Sequence, residues 1–191
     1  MIKKIAIYCG SSSGTNKIYR QKARDLAAEL FKRDIGVVFG GGKVGLMGEI
    51  ADELIMLGGE THGVIPRHLF DKEVAHSSLS KLSIVDSMHT RKAMMENLAD
   101  GFIAMPGGMG TLDEIAEIFT WSQLKLHHKP MGFYNVNHYF DPLFDFFKKM
   151  ADEGFLHPAY FANIIQGDQP DTLLDQFQGY QAPDIEKWLD N

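Results

Sequence analysis

Residues 106–114, PGGMGTLDE, have the types and spacing of an anion-binding turn. Pro106 stops an apolar run, and Gly107, Gly108 and Gly110 permit positive φ and leave backbone N–H groups uncovered. Thr111 then opens an amphipathic segment. Uncovered N–H groups at the positive end of a helix attract phosphate or carboxylate. Glu114 allows two readings. Thr-Leu-Asp-Glu at 111–114 is a capping box, with Thr111 as N-cap and Glu114 reaching back to its N–H. Alternatively, Glu114 is a carboxylate that acts on whatever the glycines hold. Asp113 and Glu117 also suit a helix start electrostatically. These carboxylates would repel a phosphate, so a working site needs cations close by.

The segment SMHTRKAMM at 87–95 supplies them. Arg91 and Lys92 fall near the first turn of a helix, where positive charge opposes the helix dipole by a few tenths to about 1 kcal/mol each. Residues that break a local rule are candidates for function, a solvated surface pair being the alternative. Arginine grips phosphate or carboxylate with two prongs. Met88, Met94, Met95 and Leu98 read as core rather than as a cofactor box.

Two more glycine turns follow strand-like runs. In CGSSSG at 9–14, Ser11, Ser12 and Ser13 offer hydroxyls and N–H groups to a ligand or to a helix start. GGGKVG at 40–45 formally fits G-x-G-x-x-G, but the fit rests on a triple glycine in the second β–α unit. The acidic residue about twenty positions on, Glu60, precedes the next strand instead of ending it, and no G-K-[ST] follows. Close approach of backbone to a ligand or a neighbouring element explains these glycines better. Cys9, the only cysteine, ends an apolar run and reads as a packed residue; no intramolecular disulfide is possible. The eight histidines are scattered, and neither H-E-x-x-H nor G-x-S-x-G is present, so no metal site and no serine elbow are expected.

These turns need elements to hold them. β-branched runs at 2–9, 35–39, 61–65, 83–85, 101–105, 130–134 and 162–165 read as strands. Helical periods occupy 16–33, a segment that follows GGGKVGLMGE and runs to Leu57, then 88–99, 111–124, 140–151, 171–177 and 184–189. The alternation predicts an α/β fold, a three-layer sandwich with a parallel sheet of about seven strands and helices on both faces. Such sheets bind ligands at the carboxyl ends of their strands, where all three glycine turns fall. The 191 residues suit one domain spanning the whole chain. A net charge of -6 argues against general binding of nucleic acid or anionic membrane. Without a signal-peptide pattern or a membrane-length apolar run, the chain is expected in the cytoplasm. The aperiodic stretch 66–81 is a surface connection or a loop over the site. Residues 131–161 hold 10 of the 21 aromatics, which serve as core or as part of a dimer interface.

MHTRK at 88–92 together with PGGMGTLDE at 106–114 resembles the LOG ("Lonely Guy") family, whose paired patterns are M-H-x-R-K and P-G-G-x-G-T-x-x-E. CGSSSG followed by Tyr19, GGGKVGLMG, GVIP, TWSQL, HHKP and EGF are similar to family segments in the same order, so the resemblance covers nearly the whole chain. Lys125 departs from it, standing where the family usually has glycine. The resemblance implies a Rossmann-like sandwich, commonly a homodimer, that hydrolyses the N-glycosidic bond of a nucleoside 5′-monophosphate (a cytokinin nucleotide, AMP or both). It implies Arg91 and Glu114 as the catalytic pair and no metal or redox cofactor. Substrate contacts would come from Glu73, Arg91, Lys92, Gly108, Met109, Gly110, Thr111, Leu112, Asp113, Glu114 and Thr120. Relatives are often labelled lysine decarboxylases, yet no pyridoxal-phosphate lysine motif is evident here. A non-catalytic carrier of a nucleotide or phosphorylated cofactor is the competing function.

Overall fold

The structure, a computed structural model, describes residues 1–72 and 75–185. Seven strands, β1 (Lys4–Tyr8), β2 (Gly36–Phe39), β3 (Thr61–Pro66), β4 (Lys81–Val85), β5 (Gly101–Ala104), β6 (Met131–Tyr134) and β7 (Ile165–Gly167), form one parallel sheet. Their order is β4-β3-β2-β1-β5-β6-β7. The chain winds outward from β1 to β4, then returns to pair β5 against the other side of β1. Strand order therefore reverses at β1 and β5, and the crevice outside their carboxyl ends is where a ligand fits such a sheet.

The helices are α1 (Ile18–Lys32), α2 (Gly45–Leu57), the single-turn α3 (Arg67–Phe70), α4 (Met88–Leu98), α5 (Met109–Gln123), α6 (Asp141–Asp152), the short α7 (Pro158–Ala162) and α8 (Pro170–Gln178). Alternation along the strands sorts them into layers. Ile5 and Ile7 of β1 face a core closed by Leu26 and Leu30 of α1, Ile50 and Leu54 of α2, and Leu173 and Phe177 of α8. Ala6 and Tyr8 face the opposite core, closed by Met95 of α4, Ile115 and Ile118 of α5, and Phe144 and Phe147 of α6. The two-sided burial explains why the strands read as continuous apolar runs rather than as alternating ones. Among the described residues, no helix is long and apolar enough to cross a membrane.

The last strand differs from the sequence reading. Residues 162–165 were expected to pair, but Pro158 opens α7 with the His157 side chain accepting from Ala159 N–H, and pairing begins at Ile165. Proline at a first helical position is pre-set for helix and contributes nothing to a ladder. The expected helix at 184–189 falls almost entirely outside the described residues. Of the aromatic segment, Phe133, Tyr134, Phe140 and Tyr160 are buried, while Phe146 and Phe155 are exposed. Lys125 adopts φ +58°, a left-handed conformation that a glycine would hold without strain.

Candidate active site

Three turns interlock at the switch point. Met105 N–H donates to the Tyr8 carbonyl at 2.8 Å, Gly10 N–H to the Pro106 carbonyl at 3.1 Å, and Leu46 N–H to the Gly10 carbonyl at 3.0 Å. Glycine is required at these contacts because backbone meets backbone. A Cβ at Gly45, whose φ is +65°, would run into the Ser11 carbonyl group, and one at Gly107 would collide with Thr111 Oγ1 and crowd Gly10 N. Gly40, Gly41 and Gly45 of GGGKVG thus all stand in close approach to neighbouring groups.

The PGGMGTLDE turn differs in detail from its sequence reading. None of Gly107, Gly108 and Gly110 has a positive φ. A Cβ at Gly108 or Gly110 would meet nothing, so these two leave open space instead of relieving strain. Helix α5 starts at Met109 with Gly108 as N-cap and no capping side chain. Thr111 is consequently the third helical residue and is buried, so the capping box does not form. The N–H groups of Met109, Gly110 and Thr111 precede the first intrahelical bond, from Leu112 N–H to the Gly108 carbonyl, and stand at the positive end of the helix.

Freed from capping, Glu114 lies one turn further along α5, 8% exposed. Its Oε1 is 3.2 Å from Nη2 of Arg91, which comes from α4. Ser87 caps α4 by accepting from Thr90 N–H, and this places Arg91 at the fourth helical position, aimed across the sheet edge toward α5. Gly40 makes room for it: a Cβ there would collide with Nη2 of Arg91. The Nε–H of Arg91 is buried and finds no partner among the described residues. Burial pushes the Glu114 carboxyl above its ordinary range; Arg91 pulls it back down, Asp113 and Glu117 push it up, and Lys92 lowers it. Beneath the pair, burial and the Glu114 charge hold the Cys9 thiol far above its usual pKa, so it stays neutral and packed.

Lys92 takes the neighbouring carboxylates. Its Nζ is 3.1 Å from Asp113 and 3.2 Å from Glu117. Burial works to lower its pKa, and the hydrogen bonds to both acids more than offset this, so the amine is held charged. Each cation of α4 thus pairs with acids of α5, two cations against three carboxylates, which reduces the repulsion that those acids would exert on an incoming anion.

These groups border a cleft of about 640 Å³, within the range of small-molecule sites. Arg91, Gly108, Met109, Gly110, Thr111, Asp113 and Glu114 line it, as does Ser11 of the first turn. Three other expected contact residues are placed elsewhere. Lys92 is engaged with its two acids, Leu112 packs into the core, and the exposed Thr120 donates its hydroxyl to the Ala116 carbonyl. Glu73 lies outside the described residues. Sequence reading missed the apolar wall of Val44, Met47, Ile65, Leu69 and Met88. Met88, expected in the core, lines the cleft because it opens α4 at the sheet edge, whereas Met95, two turns on, is fully buried.

A family model described as "Possible lysine decarboxylase" matches residues 47–177. A "Probable cytokinin riboside 5′-monophosphate phosphoribohydrolase", LOGL2 of Oryza sativa subsp. japonica, is 40% identical over 185 residues, covering 97% of this chain and 75% of that protein. LOG7 of Arabidopsis thaliana, a "Cytokinin riboside 5′-monophosphate phosphoribohydrolase", is 41% identical over 179 residues, covering 94% and 82% respectively. The chain belongs to the LOG family. Among solved structures, the molybdenum cofactor binding protein from Rippkaea orientalis superposes with a TM-score of 0.71 at 17% identity, covering 94% of this chain and 97% of that one. The molybdenum cofactor carrier protein from Chlamydomonas reinhardtii gives 0.68 at 16%, covering 94% and 99%. At those identities the likeness is one of fold, and LOG-family membership rests on the sequence matches. A pyridoxal-phosphate enzyme holds its cofactor through a lysine imine, and among the described residues the cleft lining includes no lysine.

Proposed function

We propose that the protein hydrolyses the N-glycosidic bond of a nucleoside 5′-monophosphate, releasing free base and ribose 5-phosphate. The observation that carries this reading is the Arg91–Glu114 pair, buried at a cleft whose next feature is the uncapped start of α5. The N–H groups of Gly108–Thr111 hold the 5′-phosphate, and the apolar wall from Val44 to Met88 takes the base. As the bond from C1′ to the base nitrogen breaks, its electron pair leaves with the base and positive charge develops on the ribose. The Glu114 carboxylate stabilises that charge and orients the attacking water, whose oxygen bonds to C1′. One water proton goes to Glu114 or solvent, and the departing base takes up a proton. Arg91, the strongest influence drawing the Glu114 pKa down, favours the ionised carboxylate that this role needs.

Incubating the protein with AMP and with isopentenyladenosine monophosphate, and following free base by chromatography, tests this. Base and ribose 5-phosphate are expected from at least one of them, and comparison of the two rates identifies the preferred base. Nucleotide bound without any base release would instead favour a carrier.

Gly40, which lines the cleft beside the Arg91 guanidinium, gives a second test. Gly40→Ala pushes a methyl group into the space of the Arg91 guanidinium. Displacement of about 1 Å at a catalytic group costs on the order of 10²-fold. The variant is expected to fold, with its thermal midpoint close to the wild type, and to lose activity by that order. Undiminished base release would show that Gly40 does not set the position of Arg91.

We also propose that the protein works as a homodimer in the cytoplasm. The exposed aromatic side chains Phe146 and Phe155 support a self-association surface, and sedimentation velocity measures it directly. The lone buried cysteine suits a reducing compartment.

A further inference from the structure

The Gly107–Gly108 peptide poses a mechanical problem. It lies between two glycines, the residue type with the widest backbone freedom. Gly107 is wedged against Thr111 and Gly10, but Gly108 has open space around it. In a trans peptide the C=O and the following N–H point in opposite directions, and the described chain has no cis bond. A flip of this one peptide would therefore exchange a donor for an acceptor at the mouth of the anion site.

Tyr139 holds it. Its hydroxyl donates to the Gly107 carbonyl at 2.6 Å. Tyr139 is not among the residues lining the cleft, whereas Gly108 is. An oxygen drawn toward Tyr139 turns the Gly108 N–H the other way, at a residue that lines the cleft.

Tyr139 is itself placed by an unusual piece of backbone. Asn137 and His138, consecutive and neither of them glycine, have φ of +54° and +59°. Such conformations persist only where the surroundings over-determine them. Here Asn135, just past β6, accepts from Phe140 N–H at 2.8 Å and donates to Asp141 at 2.7 Å. His138 Nδ1 lies 3.0 Å from the same aspartate. The Tyr139 ring stands edge-on to Phe140 and to Tyr19 of α1, at centroid distances of 5.1 and 6.0 Å. The loop after β6 thus forms a bracket that aims one hydroxyl at the neighbouring loop after β5.

We propose that Tyr139 is a positioning residue for the 5′-phosphate: it locks the Gly107–Gly108 peptide with the Gly108 N–H directed at the anion. This deepens the hydrolase reading, since it assigns the phosphate to that turn, but its test does not need turnover. Tyr139→Phe keeps the ring and its two edge contacts and removes only the hydroxyl.

Calorimetric titration of Tyr139→Phe with inorganic phosphate, ribose 5-phosphate and adenine separates the possibilities. Affinity for both phosphates is expected to fall roughly tenfold, the worth of one charge-assisted hydrogen bond, with adenine affinity unchanged. If the protein is a hydrolase, KM for the nucleotide rises by the same factor and kcat changes far less. Asn135→Ala, which loosens the bracket, is expected to reproduce the phosphate-selective loss in weaker form. Wild-type phosphate affinity in Tyr139→Phe would overturn the proposal. So would an equal loss for phosphate and adenine, which marks a merely structural role. Absence of turnover in the wild type, with the phosphate-selective loss intact, would overturn the hydrolase reading alone.

Discussion

Glu114→Gln is expected to slow base release by about 10²- to 10⁴-fold, the usual range for removing a general acid or base, while nucleotide still binds. The substitution keeps volume and shape at a position that is 8% exposed, so the loss reads out charge rather than packing. The pH profile adds a signature. Burial raises the Glu114 pKa, and the role proposed for Glu114 requires its ionised form. As pH falls, wild-type kcat/KM therefore declines at a pH above the value of about 4.3 typical of an exposed glutamate. In Glu114→Gln the residual rate lacks that acid limb. Single-turnover measurement of free base checks the rate, and a profile from pH 4 to 8 checks the limb. Undiminished activity in the glutamine variant would remove Glu114 from the mechanism and leave the family assignment standing.

Arg91→Ala is expected to lose activity on the order of 10²- to 10³-fold, in the range seen when a preorganised electrostatic donor is removed. The direction of its pH effect follows from the neighbours. Without Arg91, the largest influence holding the Glu114 pKa down is gone, while burial, Asp113 and Glu117 still push it up. The acid limb then moves to higher pH, and part of the lost rate returns as the solution is made more alkaline. Arg91→Lys is expected to fall between the two, since it keeps the charge but not the planar fork that fits beside Gly40. A limb that stays put in Arg91→Ala would show that the two side chains do not communicate.

The layers and the strand sequence were legible because each buried strand had to be apolar on both faces and each helix on one. The convergence of Arg91 with Glu114 was legible in outline too. Cations that oppose their own helix dipole are candidates for a partner beyond the helix, and both helices start at the carboxyl edge of the sheet. What the sequence concealed was the start of α5. A capping box is recognised by its side chains, and the true N-cap, Gly108, has none, so Thr111 took its place in the reading and Glu114 looked like a cap. Gly40 was hidden for a related reason. Its partner, the Arg91 guanidinium, is 51 positions away along the chain, and no local pattern reports a glycine that serves as a socket for a distant side chain. The apolar wall was invisible because Met88 carries the same residue type as the buried Met95 and differs only in its turn of the helix.

That socket ties two properties together. The loop joining β2 to α2 supplies Gly40, which fits the Arg91 guanidinium, and continues directly into Val44 and Met47 of the apolar wall. One stretch of backbone therefore sets both where the cation stands and how wide the cleft is. On the proposed reading, substrate choice and turnover are geared to each other: a change that widens the cleft by moving this loop also moves the arginine. Relatives that diverge in base preference are expected to do so by exchanging side chains on Ile65, Leu69 or Met88, across the cleft, and to leave the glycine loop in place.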